Sequence, residues 1–211
     1  MIRIRSMFRW FLVVLATFFL TTLAAWNHAG EKGRILVMGD SISAGYGIDP
    51  AEGWVSLLSA RLAEGAGWSV INASISGETT TGGRARLSGA LSRNEPDIVI
   101  IELGGNDGLQ GYPIDAIREN LRHMISMSRT AGVEVMLMEM RIPPNYGQRY
   151  TGSFQALFGE LAASEGVTLI PFFLHNVATV PGLMQRDGIH PTSAAQAIML
   201  ENAWPFIREM L

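Results

Sequence analysis

From Arg34 to the carboxyl end the chain alternates short apolar runs, rich in branched residues, with longer stretches of helical period, and this alternation constrains the fold more than any other feature. The runs are ILVM at 35–38, WSVI at 68–71, IVIIEL at 98–103, VEVMLM at 133–138 and VTLI at 167–170. At least the third is apolar on both faces, as a strand covered by helices on each side must be. Between the runs the pattern predicts helices near 53–65, 83–93, 113–131 and 150–165, with a last one near 192–210. In the third of these, Ile114, Ile117, Leu121, Met124, Ile125 and Ser128 recur by threes and fours, which marks one buried helix face. Strand and helix in turn imply a five-stranded parallel sheet wound on both faces, a three-layer α/β/α sandwich. In such a sheet, ligands sit beyond the carboxyl ends of the strands. No repeat, low-complexity tract or linker interrupts the pattern, so a single domain is expected over 33–211.

The amino terminus reads differently. Residues 1–9 (MIRIRSMFR) hold three arginines and no acid, and 10–20 (WFLVVLATFFL) are continuously apolar before the chain fades into Leu23-Ala24-Ala25. A positive end, a short greasy centre and small residues at an exit site are the order of a secretory signal, expected over 1–25 with cleavage near Ala24 or Ala25. Counted on to Trp26 the apolar stretch reaches about 17 residues, the lower edge for a bilayer helix, so the alternative is an uncleaved anchor that would be the chain's membrane contact. In both cases the rest is exported.

With 48% hydrophobic and 17% charged residues the chain is too apolar for disorder and too charged for a multispanning membrane protein. Beyond residue 30 it holds 13 basic and 19 acidic groups, a balance of −6, and its single lysine is Lys32. A nucleic-acid partner is therefore not expected, because phosphate binding draws on clustered cations. The absence of cysteine excludes disulfides, thiolate zinc sites, a cysteine nucleophile and a lipid-modified cysteine.

Four segments at strand ends carry chemistry. Run 35–38 leads into Gly39-Asp40-Ser41, which places a serine at the rim of the sheet. Run 68–71 leads into Asn72-Ala73-Ser74-Ile75-Ser76-Gly77-Glu78-Thr79, where Gly77 could offer an unobstructed N–H. Run 98–103 leads into Gly104-Gly105-Asn106-Asp107, whose Asn106 amide could donate to a developing oxyanion. Near the end, Asp187-Gly188-Ile189-His190-Pro191 joins an acid and an imidazole three positions apart, so that the carboxylate can orient the ring toward a serine. Each piece alone is equally the composition of a turn or cap. Among the histidines only His190 has the setting of a base: His28 lies in the export segment, His123 beside Arg122, and His175 has no acid at short spacing. G-x-S-x-G around Ser41 or Ser43, a G-x-G-x-x-G loop and a P-loop lysine are all missing.

Taken together and in this order, the four segments resemble the conserved blocks of the SGNH, or GDSL, hydrolase family, with Ile42 in place of the leucine of the GDSL name. The resemblance covers roughly 34–210. The text around 72–79 and 141–147 is similar to the periplasmic thioesterase/lysophospholipase branch of Gram-negative bacteria. The resemblance implies a flavodoxin-like SGNH hydrolase fold, Ser41 as nucleophile, Asp187 and His190 as its triad partners, and an oxyanion hole of the Ser41 N–H, the Gly77 N–H and the Asn106 side chain. It implies a periplasmic serine hydrolase of acyl thioesters, lysophospholipids and aryl esters that needs no metal or cofactor and no obligate protein partner. The family also includes carbohydrate O-acetyl esterases, and a non-catalytic binding protein on the same fold is a further alternative. The apolar stretches 171–174 and 177–184 could line a groove for an acyl chain or pack under the last helix. The loop from Ser76 to Gly83 could move over the site.

Overall fold

The computed structural model describes residues 32–65 and 67–211. The expected signal segment, 1–25, lies outside the described residues. The five apolar runs form strands β1 (Gly33–Gly39), β2 (Trp68–Asn72), β3 (Ile98–Glu102), β4 (Glu134–Met138) and β5 (Thr168–Ile170). All neighbours pair in parallel, in the order β2-β1-β3-β4-β5. β3 is buried at every residue, and β1 at all but Arg34, as central strands covered on both faces must be. The outer strands β2 and β5 are only half-buried for most of their length.

Among the described residues, seven α-helices connect and cover the sheet: α1 (Ser41–Ala44), α2 (Trp54–Ala63), α3 (Thr80–Asn94), α4 (Gly105–Leu109), α5 (Ile114–Thr130), α6 (Gln148–Glu165) and α7 (Ser193–Arg208). α3 packs on α5 and α5 on α6 to form one outer layer, while α2 packs on α7 to form the other, which gives the three-layer α/β/α sandwich. On α5 the expected stripe is the buried face: Ile117, Leu121, Met124, Ile125 and Ser128 are buried, and Ile114 packs at its edge. Among the described residues no helix is long and apolar enough to cross a membrane.

Two features depart from the sequence pattern. α3 starts at Thr80, three residues before the expected position and through Thr-Thr-Gly-Gly, which is poor helical sequence. Its first turn is held from outside: the Thr79 hydroxyl accepts the Gly82 N–H at 3.3 Å, and the buried Asp107 carboxylate accepts both the N–H and the hydroxyl of Thr80, at 2.9 and 2.5 Å. The segment expected to be a loop from Ser76 to Gly83 is therefore loop only as far as Thr79. In addition, the chain after β1 and after β3 winds into the one-turn helices α1 and α4, which have no periodicity to announce them. Both lie where the strand order reverses between β1 and β3, the crevice at which sheets of this order hold ligands.

Candidate active site

β1 ends at Gly39 and the chain enters α1 at once, because Asp40 caps it: Oδ1 accepts the Ile42 N–H at 3.0 Å. Ser41 is thus the first residue of a one-turn helix at the carboxyl edge of the sheet, 8% exposed. The acid and the imidazole arrive from the other end of the chain. Asp187 Oδ1 accepts the backbone N–H groups of Ile189 and His190 at 2.9 and 3.0 Å, which closes a tight turn, while Oδ2 lies 2.7 Å from His190 Nδ1. His190 Nε2 lies 2.9 Å from Ser41 Oγ. With Nδ1–H donated to Asp187, Nε2 is the atom free to accept the serine proton. The His190 ring N–H, then the backbone N–H groups of His190 and Ile189, hold the Asp187 carboxyl down to about 2.

Asn106 stands at the start of α4 with both hydrogens of its amide engaged, donating to Asp40 Oδ2 at 3.0 Å and to the Glu78 carbonyl at 2.9 Å. Gly77 precedes Glu78 on a loop hung from the end of β1, where the Ile75 N–H donates to the Gly39 carbonyl at 3.1 Å. Its φ of +79° is a conformation that side chains rarely adopt, and a Cβ there would meet nothing within 4 Å, so it is the backbone conformation and not crowding that favours glycine. Of the five expected site residues, Ser41, His190 and Asp187 are thus in direct contact. Asn106 is linked to the residue before Ser41, and Gly77 neighbours the carbonyl that Asn106 binds. His123 and His175 lie elsewhere: His123 sets Nδ1 on the Glu119 carbonyl, and His175 is exposed.

Several residues that hold this array carried no role in the sequence pattern. Glu102, hidden in the apolar run of β3, is fully buried; Oε2 accepts the Ser43 hydroxyl at 2.6 Å and the Asp40 N–H at 3.2 Å. Burial pushes its carboxyl well above the usual range, and the Asp40 charge adds to this. Burial also raises the Asp40 carboxyl, to about 6, against the Ile42 N–H, the His190 charge and the Asn106 amide, which lower it. Arg86 on α3 ties down the Gly77 loop, donating to Glu78 Oε2 and to the Ala73 carbonyl, each at 2.5 Å. An acid inside an otherwise apolar strand was the one available signal, and it pointed to Glu102.

Beside Ser41 opens a cavity of about 460 Å³. Leu109, Met140, Ile142, Phe172, Leu174 and Met184 give it apolar walls, and Arg141, stacked 4.6 Å over the Phe172 ring, lies at its side. The two readings of 171–184 divide between residues. Phe172, Leu174, Ala178, Thr179 and Met184 face the cavity, Val177 is buried, and Phe173 both reaches the cavity and packs edge-on against Trp54 at 4.9 Å.

A doubly covered parallel sheet with hydroxyl, imidazole and carboxylate in line at its carboxyl edge, beside an apolar cavity, defines a hydrolase acting on ester bonds. The sequence pattern of the GDSL-like lipase/acylhydrolase family matches residues 37–198, and the chain belongs to that family. It is 50% identical over 178 residues to the esterase TesA of Pseudomonas aeruginosa, covering 84% of this chain and 89% of that one. To thioesterase 1/protease 1/lysophospholipase L1 of Escherichia coli K12 it is 39% identical over 201 residues, covering 95% and 93%. The fold superimposes with a TM-score of 0.82 on a psychrotrophic esterase, EstA from Pseudoalteromonas sp., in a structure inhibited by monoethylphosphonate. That chain is 40% identical, with 85% of this chain and 98% of that one covered. The protein is an enzyme that hydrolyses ester and thioester bonds.

Proposed function

We propose that the protein cleaves medium- or long-chain acyl esters and thioesters through an acyl-enzyme on Ser41. His190 Nε2 takes the hydroxyl proton as Oγ attacks the acyl carbonyl, Asp187 holds the ring and stabilises the imidazolium, and His190 returns the proton to the leaving alcohol or thiol. Water then enters by the same route and attacks the acyl carbonyl as His190 takes one of its protons; the acyl–Oγ bond breaks as His190 returns that proton to Ser41, and the carboxylic acid leaves. The oxyanion is received by the N–H groups of Ser41 and Gly77 and by Asn106, whose amide turns one hydrogen from the Glu78 carbonyl to the new negative charge while Asp40 keeps the other.

The observation that supports this reading best is the unbroken line from Asp187 Oδ2 through the imidazole to Ser41 Oγ, with separations of 2.7 and 2.9 Å. The cavity beside Ser41 supports the acyl assignment, since an acetyl group would leave most of its apolar wall uncovered. Purified enzyme should be labelled by a fluorophosphonate and the Ser41→Ala variant should not; equal labelling of both would remove Ser41 as nucleophile. Octanoyl p-nitrophenyl ester should be cleaved with a higher kcat/KM than the acetyl ester. Exclusive acetyl cleavage would favour the carbohydrate O-acetyl esterases of the family instead. The basic end and apolar run of residues 1–25 support export to the periplasm, where osmotic-shock fractionation should recover the activity.

A further inference from the structure

We propose that Tyr46 and Gln185 form a clamp that seats His190 over Ser41; this rests on the roles just proposed for those two residues. The imidazole is held along its edge by Asp187 at Nδ1 and by Ser41 at Nε2, at 2.7 and 2.9 Å. Both bonds are made at ring nitrogens, along the edge of the ring, and neither covers its face. Tyr46 lies against the ring face, with centroids 4.5 Å apart and planes at 40°, within the range over which aromatic rings attract. The same residue is tied to the nucleophile, because its backbone N–H donates to the Ser41 carbonyl at 3.0 Å. One side chain and its own peptide thus touch both partners of the proton transfer.

Gln185 fastens the other side of the joint. Its Nε2 donates to the Tyr46 carbonyl at 2.8 Å and to the Pro191 carbonyl at 3.0 Å, and its backbone N–H donates to the His190 carbonyl at 2.7 Å. The chain is shaped around this amide: at Gly47, where φ is +76°, a Cβ would come within 2.4 Å of Gln185 Oε1. Core packing does not account for Tyr46, which is 53% exposed. Its value lies in the contact with His190.

The test compares Tyr46→Ala, Tyr46→Phe and Gln185→Leu in the full-length enzyme. Tyr46→Ala should lower kcat about ten-fold or more for octanoyl and acetyl esters alike, since the base serves every substrate, with KM and thermal midpoint little changed. Tyr46→Phe keeps the ring face and should restore the wild-type rate, and Gln185→Leu should fall between the two. The low-field proton resonance of the His190 Nδ1–H bonded to Asp187 should be sharp in the wild type and in Tyr46→Phe, and broadened in Tyr46→Ala. A wild-type kcat with an unchanged resonance in Tyr46→Ala overturns the clamp. So does a rise in KM alone, which would make Tyr46 a substrate contact. His190→Ala separates the two proposals: full turnover in that variant removes the base itself, whereas an inactive His190→Ala beside a normal Tyr46→Ala removes only the clamp.

Discussion

Replacing Asp40 with asparagine should shift the stability balance toward the variant as pH rises to neutrality, and should slow the reaction. Asp40 is 2% exposed, and burial raises its carboxyl from 3.8 to about 6. Below the lower value the group is protonated in folded and unfolded chains alike. Between the two values the unfolded chain sheds the proton while the folded one keeps it, so stability falls as pH rises, by about 1.4 kcal/mol per pH unit. The fall ends above about pH 6 and totals about 3 kcal/mol for a displacement of about two units. Asparagine has no such proton. The stability difference between Asp40→Asn and the wild type should therefore grow in favour of the variant by about that amount from pH 4 to pH 7. Glu102 is raised by burial in both proteins, but the variant lacks the Asp40 charge that raises it further, so its displacement shrinks in the variant and works in the same direction.

The catalytic cost has a separate origin. The two Asp40 oxygens each accept one bond, from the Ile42 N–H and from the Asn106 amide, whereas an asparagine side chain has a single oxygen. One donor then faces an NH2 group, and Asn106 loses its anchor. We expect kcat to drop about ten-fold, less than the 10²–10³ that follows loss of an oxyanion donor outright. Urea titrations followed by tryptophan fluorescence at intervals from pH 4 to 7.5, beside hydrolysis of p-nitrophenyl octanoate, measure both effects. Parallel stability curves would refute the argument from the buried carboxyl, and an unchanged kcat would refute the anchoring of Asn106.

Asn106→Ala should lower kcat by about 10²–10³ while the protein still folds, with a urea midpoint lowered by the two lost hydrogen bonds; full turnover would take that amide out of the oxyanion hole. Ala178→Trp places a large ring at the exposed edge of the cavity, and should depress kcat/KM for octanoyl esters while sparing acetyl esters; equal losses on both would show that the acyl chain does not lie there. Asp187 sits below its ordinary value, so its contribution to stability is present above about pH 3.8 and is lost as pH falls through about 2. Asp187→Asn should flatten the acid limb of the stability curve between pH 4 and 2, and should lower kcat by about 10⁴ through the wrong imidazole tautomer. A variant with an unchanged acid limb would show that the three N–H donors do not hold that charge.

The five strands were legible as short apolar runs, most clearly β1 and β3, which are covered on both sides and are interrupted by charge only at Arg34 and Glu102, near their ends. The long helices were legible for a similar reason, most clearly α5 with its single apolar stripe. α1 and α4 were not, since a one-turn helix has no period to display and its existence depends on local turn and cap geometry, such as Asp40 on Ile42. The start of α3 was misplaced because Thr-Thr-Gly-Gly argues against a helix locally, and Asp107, 27 residues away, overrides it.

By itself, then, the chain's order of residues determined the sheet and its helical layers, because burial leaves a periodic record, while Ser41, Gly77, Asn106, Asp187 and His190 stood out only through the resemblance of four segments taken together, each of which alone reads as a turn or cap. Only the tertiary structure decided the strand order β2-β1-β3-β4-β5, the burial of Glu102 behind Asp40, and the seating of Tyr46 and Gln185 on His190. Those contacts join residues 62, 139 or 144 positions apart, and a pairing across that distance depends on which surfaces meet once the sheet has closed, which no local spacing records.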